Sequence, residues 1–139
     1  SLAYVTDFEY YSQDFFESVK KTMKPNIIQI GEKIYEDLRE EVKSFVAGVD
    51  LLIMDAVYTT EEYSTKIGAA KIGWGHSCFD DIYRLANAAN VKNLCFFHHE
   101  PNRADARLAE IEQYYVGLNK RSGNLKSVFA AKEGMSLLL

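Results

Sequence analysis

Short apolar segments separated by amphipathic stretches run through most of the chain. The segment LAYVT (2–6) alternates weakly, and the runs LLIM (51–54) and LCFF (94–97) are continuously apolar. Each of these three segments predicts a strand, and NIIQI (26–30) predicts a further short one. From residue 32 to residue 47 the apolar positions recur at helical spacing, with charged residues between them. This stretch predicts an amphipathic helix.

Capping signals mark where the other helices begin and end. The predicted N-caps are Ser12, Ser77 and Asn102. Ser77 is followed three residues later by Asp80, which takes the place of glutamate in a capping box. Gly123 closes the long helix that begins near residue 102. After it, the segment 126–139 predicts a hairpin with its turn at residues 133–134.

The predicted order of elements is β-α-β-α-β-α-β-α-ββ. Alternation of this kind is typical of an α/β protein with helices packed on a sheet. The chain of 139 residues has the size of one domain, so we expect residues 1–139 to form a single α/β domain.

Composition narrows the classes of function. The net charge of −4 gives no general attraction to DNA or to an anionic membrane. The longest apolar runs are far short of the roughly 20 residues that span a bilayer. The two cysteines do not indicate a disulfide scaffold. We therefore expect a reduced, cytoplasmic protein.

Polar side chains that suit catalysis or metal binding follow the predicted strands. Asp7, Asp55 and His98 each come at or just after a strand end, and His76 lies where a long loop meets a helix. In α/β sheets the functional site lies beyond the carboxyl ends of the strands. An aspartate or histidine in such a position is most often a structural residue when it stands alone. Four of them converging on one edge of the sheet indicate a site.

Imidazole and carboxylate groups together suit Zn²⁺, Mn²⁺ or Fe. A zinc site takes three or four protein ligands per metal ion. The chain contains only three histidines, with no H-x-H or H-x-x-x-H spacing. On its own, this sequence supplies only part of a site for two metal ions.

Five motifs in order carry a resemblance to a known family. They are LAYVTD, DLLIMDAVYTTEEY, GWGHS, LCFFHHEPN and VFAAKEGM. Together they resemble the C-terminal half of metallo-β-lactamase-fold hydrolases, in particular the branch with tRNase Z-like and cyclic-nucleotide phosphodiesterase-like enzymes. The resemblance extends over residues 1–139 and is weakest over residues 8–43. It implies one half of an αββα sandwich: a mixed sheet with helices on one face.

The resemblance also implies a role for each candidate residue. Asp7 corresponds to the aspartate that bridges two divalent metal ions (Zn, Mn or Fe), and His98 corresponds to the last histidine ligand. His76 corresponds to the histidine that donates a proton to the leaving group, and Asp55 to an acidic residue that orients that histidine. No role is implied for His99.

The family's main ligand run, His-x-His-x-Asp-His, belongs to the N-terminal half and is absent here. The resemblance therefore implies part of a binuclear hydrolase that acts on a phosphodiester substrate and is inactive as this chain alone. A lone half would expose one face of its sheet, which predicts either pairing with an N-terminal half or a homodimer.

Two other interpretations remain open at this point. In the first, the chain is a response-regulator receiver-like signalling module with Asp55 as the phosphoacceptor and an acidic pair, Asp7 and Glu9, holding Mg²⁺. The lysine that a receiver carries after a later strand is absent, which weighs against this interpretation. In the second, the chain is a non-catalytic half-domain that binds a partner.

Overall fold

The computed structural model describes residues 1–11, 16–17, 20–21, 24–64 and 71–137. Its elements in chain order are β1 (Leu2–Val5), α1 (Pro25–Phe45), β2 (Leu51–Asp55), α2 (Thr60–Tyr63), α3 (Phe79–Ala88), β3 (Asn93–Phe97), α4 (Asp105–Ser122) and β4 (Ser127–Ala130). The predicted N-cap Ser12 lies outside the described residues. Alternating strands and helices confirm the α/β class.

The four strands form one sheet in the order β1-β2-β3-β4. All three neighbouring pairs are parallel, with Leu52 opposite both Ala3 and Leu94. The mixed sheet that the resemblance implied is not found in the described part of the chain. The separately predicted C-terminal hairpin is not found there either. Residues 133–134 do form a turn, but residues 135–137 beyond it contain no strand.

The core lies on one face of this sheet. Alternate strand residues form the sheet side of the core: Ala3, Leu52, Met54, Leu94, Phe96 and Val128. Side chains of α1, α3 and α4 belong to the same apolar cluster. Parallel neighbours joined in sequential order by right-handed crossovers place their helices on the same side of a sheet, which accounts for this packing.

The opposite face of the sheet is partly open. Its residues alternate with those of the core and are largely apolar. Leu2 and Tyr4 on the edge strand are 55% and 53% exposed. Phe97 is half-buried and packs edge-on against Tyr4, with 5.5 Å between the ring centroids. In the described part of the chain, this face therefore presents apolar surface to solvent.

The strand predicted at residues 26–30 is wrong, because this segment is the first part of α1. Pro25 is the first residue of the helix. Proline is tolerated there because an N–H at this position would have no partner within the helix. The β-branched isoleucines of NIIQI favour a strand in isolation. The amphipathic helix that follows extends back through them.

Two predicted helix caps are also wrong. The helix α3 begins at Phe79 with Cys78 as its N-cap, and α4 begins at Asp105 with Ala104 as its N-cap. Neither capping residue makes a side-chain cap hydrogen bond. Asn102 instead donates from its backbone to the Glu100 carboxylate, at 2.9 Å. The Gly123 end of α4 is confirmed.

A partly buried hydrogen bond joins α4 to α3, and it supplies a test of the packing. The Tyr115 hydroxyl, in a side chain that is 4% exposed, donates to Asp80 Oδ1 at 2.6 Å. Tyr115→Phe is expected to lower the free energy of unfolding by about 1.5–3 kcal/mol, the range for a hydrogen bond to a charged group. The neighbouring Tyr114 is 57% exposed, so Tyr114→Phe serves as the control. Equal losses in urea unfolding of the two variants would contradict this packing.

Candidate metal centre

The parallel pairing of β1, β2 and β3 brings their carboxyl ends to one rim of the sheet. Asp7 follows β1, Asp55 is the last residue of β2, and His98 directly follows β3. His76 joins them from the loop before α3. Each of the four residues offers a ligand atom, and these atoms lie within 4.8 Å of one another. The structure thus brings together all four residues that the sequence singled out.

Asp55 holds His76 in a fixed orientation. Its side chain is fully buried, and its Oδ2 lies 2.8 Å from Nδ1 of His76. Its other oxygen, Oδ1, accepts the backbone N–H of Ser77 at 3.2 Å. Because a carboxylate oxygen only accepts, Nδ1 of His76 carries the proton and Nε2 is left for other partners. Here a buried carboxylate sets both the tautomer and the ring position of the histidine.

His98 lies among oxygen atoms at distances longer than good hydrogen bonds. Its Nδ1 is 3.4 Å from Thr6 Oγ1, 3.5 Å from Asp7 Oδ1 and 3.6 Å from Asp55 Oδ2. For tetrahedral zinc with bonds of 2.0–2.1 Å, two ligand atoms lie about 3.3 Å apart. The spacing between His98 and Asp7 is close to this value. The His76–Asp55 contact at 2.8 Å is instead that of a direct hydrogen bond.

The backbone at the two ends of this cluster has an unusual conformation. Asp7 has φ of 49° and His98 has φ of 59°, both in the left-handed region. In the described part of the chain only one other non-glycine residue, Asn90, has a positive φ. Such conformations are uncommon for side-chain-bearing residues and collect at functional sites. Here they turn the chain sharply where each strand ends.

Exposure is graded across the cluster. The Asp55 side chain is 0% exposed, His76 22%, His98 36% and Asp7 65%. The hydrogen-bonded pair therefore lies inside, and the Asp7–His98 side faces solvent. A ligand or water molecule has access from that side.

His99 does not belong to the cluster. Its Nε2 donates to the backbone carbonyl of Ala131 at 3.2 Å, beside β4. Burial lowers the pKa of His99, although the bond to Ala131 partly offsets this effect. The two adjacent histidines thus have different surroundings. His98 belongs to the cluster and His99 is bonded to the backbone beside β4.

Sequence reasoning missed the role of Glu9, which it placed only in an acidic pair with Asp7 under the receiver interpretation. The side chain is 7% exposed. Its Oε1 accepts the Tyr63 hydroxyl at 2.6 Å and the Gly73 N–H at 2.8 Å, and its Oε2 accepts the Gly75 N–H at 2.9 Å. No signal near residue 9 in the sequence shows these partners, which lie 54–66 residues away.

The donor set suits one divalent cation. Two carboxylates and two imidazoles are the kinds of side chain that bind Zn²⁺, Mn²⁺ or Fe²⁺. While Asp55 is hydrogen-bonded to His76, Asp7 and His98 are the pair with the spacing of two ligands on one ion. Two ions would need about six protein ligands or more, and the residues that the structure describes do not bring further histidine, cysteine or acidic ligands into this group. The cluster by itself fits one ion and is short of ligands for two.

No protein-family model matches the chain, and neither does any curated protein or any solved structure. Among the described residues, no helix combines the length and the apolar character that crossing a membrane requires.

Proposed function

We propose that this chain is the C-terminal half of a binuclear metal-dependent hydrolase of the phosphodiesterase type, with the metallo-β-lactamase sandwich as its complete fold. The observation that carries the proposal is the fully buried Asp55, which holds His76 by a 2.8 Å contact beside the Asp7–His98 pair. The five ordered motifs support the family, and the position of the cluster at the strand ends supports the assignment of the site.

In this proposal, Asp7 and His98 hold metal ions, and Asp55 and His76 form a proton-donating pair. When bound, the metal ions would activate water for attack on phosphorus and neutralise the charge that develops on the phosphoryl oxygens. Asp55 keeps the proton of His76 on Nδ1, so that Nε2 is the nitrogen that exchanges a proton with the leaving oxygen. The solvent-exposed side of Asp7 is where the substrate enters.

The small number of metal ligands in this chain also supports a partner chain or domain that supplies the others. A second metal ion needs ligands that the described cluster does not supply. We propose that a second β/α half, bearing the His-x-His-x-Asp-His run, covers the open face of the sheet near Tyr4 and completes the site. The complete protein would act in the cytoplasm, where free buried thiols such as Cys78 and Cys95 are stable.

The surroundings of Asp55 weigh against the receiver interpretation. A phosphoacceptor must be reached by the phosphodonor, and the Asp55 side chain is 0% exposed with both oxygens accepting hydrogen bonds. Doubly wound sheets also change direction in their strand order. In the present sheet the order is sequential.

The test joins the chain to a polypeptide that carries the missing ligand run and measures hydrolysis of bis(4-nitrophenyl) phosphate with Zn²⁺, Mn²⁺ or Fe²⁺. We expect activity in the joined protein and none in the chain alone. Asp7→Ala and His76→Ala are expected to lower the rate at least about 100-fold, as for loss of a ligand or a proton donor. If both variants keep full activity, the assignment is wrong.

Sedimentation of the chain alone tests the partner surface. We expect self-association at micromolar concentration, because no described part of the chain covers the open sheet face. A Tyr4→Lys variant, which places a charge on that face, is expected to shift the equilibrium to the monomer. A clean monomer of the unaltered chain would contradict an apolar docking face.

A further inference from the structure

A carboxylate two residues after Asp7 is bonded to the loop that carries His76. Glu9 is buried and accepts three hydrogen bonds, from the Tyr63 hydroxyl and from the backbone N–H groups of Gly73 and Gly75. Each acceptor distance lies between 2.6 and 2.9 Å, within the range of charge-assisted hydrogen bonds. The second of the two glycines directly precedes His76.

The loop before His76 contains a turn with two left-handed glycines. The carbonyl of Lys71 accepts the N–H of Trp74 at 3.1 Å, and Gly73 between them has φ of +81°. These values match a type II turn, which needs glycine at its third position. Gly75 has φ of +85°. The two left-handed glycines turn their N–H groups toward the same carboxylate.

A second contact holds the same two segments together. The Ser77 hydroxyl donates to the Phe8 carbonyl at 2.6 Å and accepts the Tyr10 N–H at 2.8 Å. Segment 8–10 is therefore bonded to segment 73–77 on both sides of His76. The hydroxyl that sequence reasoning assigned to a helix cap is used here, in a side chain with no exposed surface.

We propose that Glu9 is a positioning residue for His76: it fixes the 73–75 turn so that the ring meets Asp55 at the rim where Asp7 lies. Asp7 and Glu9 belong to one short segment after β1. That segment thus supplies a metal-site residue and also holds the loop that brings the histidine to it. The role of His76 rests on the proposed function, whereas the link between Glu9 and the loop rests on the contacts above.

The charge and shape of the group matter for this role. All three partners are donors, and a carboxylate only accepts. A glutamine in the same place would turn its NH₂ group toward one of the donors, so at least one hydrogen bond would be lost. Glu9→Gln keeps the size of the side chain and therefore isolates the loss of acceptor capacity.

The experiment uses metal-free protein and ¹⁵N NMR. We expect Glu9→Gln to speed hydrogen exchange of the Gly73 or Gly75 amide about tenfold or more, which corresponds to losing a hydrogen bond to a charged group. The His76 Nδ1–H signal, bonded to Asp55, is expected to weaken or disappear while circular dichroism shows the fold intact. Assignment is direct, because the chain has three histidines and His98→Ala and His99→Ala identify the other two.

Tyr63→Phe is the matched control, because it removes one of the three donors and leaves both glycine contacts. It is expected to keep the His76 signal. If Glu9→Gln leaves the His76 signal and both glycine amides unchanged, the inference is overturned. If Glu9→Gln does not fold, hydrogen exchange in the unaltered protein tests the contacts instead. Rapid exchange of the Gly73 and Gly75 amides would contradict their hydrogen bonds to Glu9. None of these measurements uses metal or activity, so failure here is distinct from failure of the proposed hydrolase.

Discussion

Replacing His98 with alanine is expected to lower the Zn²⁺ affinity of the chain by more than about 100-fold. Changing a residue that only supports a metal ligand costs about 10–100-fold, and loss of the ligand itself costs more. The Nδ1 atom of His98 lies 3.5 Å from Asp7 Oδ1, close to the separation of two ligands on one tetrahedral ion. Isothermal titration of the metal-free chain with Zn²⁺ measures both the affinity and the number of ions bound. We expect one ion per chain.

The adjacent histidine gives the control for this prediction. His99 has the same side chain one position later, but its Nε2 is bonded to the Ala131 carbonyl and it does not belong to the cluster. His99→Ala is expected to change Zn²⁺ affinity less than about threefold, within the usual context-dependence of a remote site. Equal losses in the two variants would show that the ion binds elsewhere or that both changes act through stability.

For the proposed hydrolase, with the chain joined to its second half, Asp55→Asn is expected to lower the turnover by about 100-fold or more. Both carboxylate oxygens of Asp55 accept, one from His76 and one from the Ser77 N–H. An amide has a single acceptor oxygen, so its NH₂ group must face one of these two donors. The His76 imidazole is then no longer fixed in tautomer and orientation. Its contribution as a general acid is therefore lost.

Asp80→Asn is the matched control for this change. Asp80 also accepts two side-chain hydrogen bonds, from the Thr60 and Tyr115 hydroxyls, but it lies outside the candidate metal centre. We expect it to lower thermal stability and to leave the rate per folded molecule unchanged. Steady-state hydrolysis of bis(4-nitrophenyl) phosphate, corrected for folded fraction, separates the two variants. A normal rate in Asp55→Asn would remove Asp55 from the mechanism.

Much of the fold follows from local pattern. The apolar runs 51–54 and 94–97 lie in β2 and β3 as predicted. Continuous apolar runs suit strands that are buried in a parallel sheet. The site follows from the same elements. Once the strands are parallel neighbours, their polar ends must meet at one rim, and Asp7, Asp55 and His98 do.

What the sequence did not predict depends on contacts between distant segments. The Ser77 hydroxyl is an N-cap candidate on local grounds, but its partners are Phe8 and Tyr10, 67–69 residues away. The isoleucines at 27, 28 and 30 favour a strand locally, and the long helix that begins at Pro25 overrides this preference. Local signals also gave no partner for Glu9. The sequence shows Gly73 and Gly75 beside His76, but it does not show that their N–H groups donate to Glu9.

The left-handed backbone at Asp7 and His98 has a consequence for anyone who engineers this chain. A side chain in that conformation costs about 1 kcal/mol relative to glycine. Glycine at Asp7 or His98 would relieve this strain, but both side chains are needed for the proposed chemistry. Selection for thermal stability or expression alone would favour glycine at both positions and so remove two residues of the candidate metal centre.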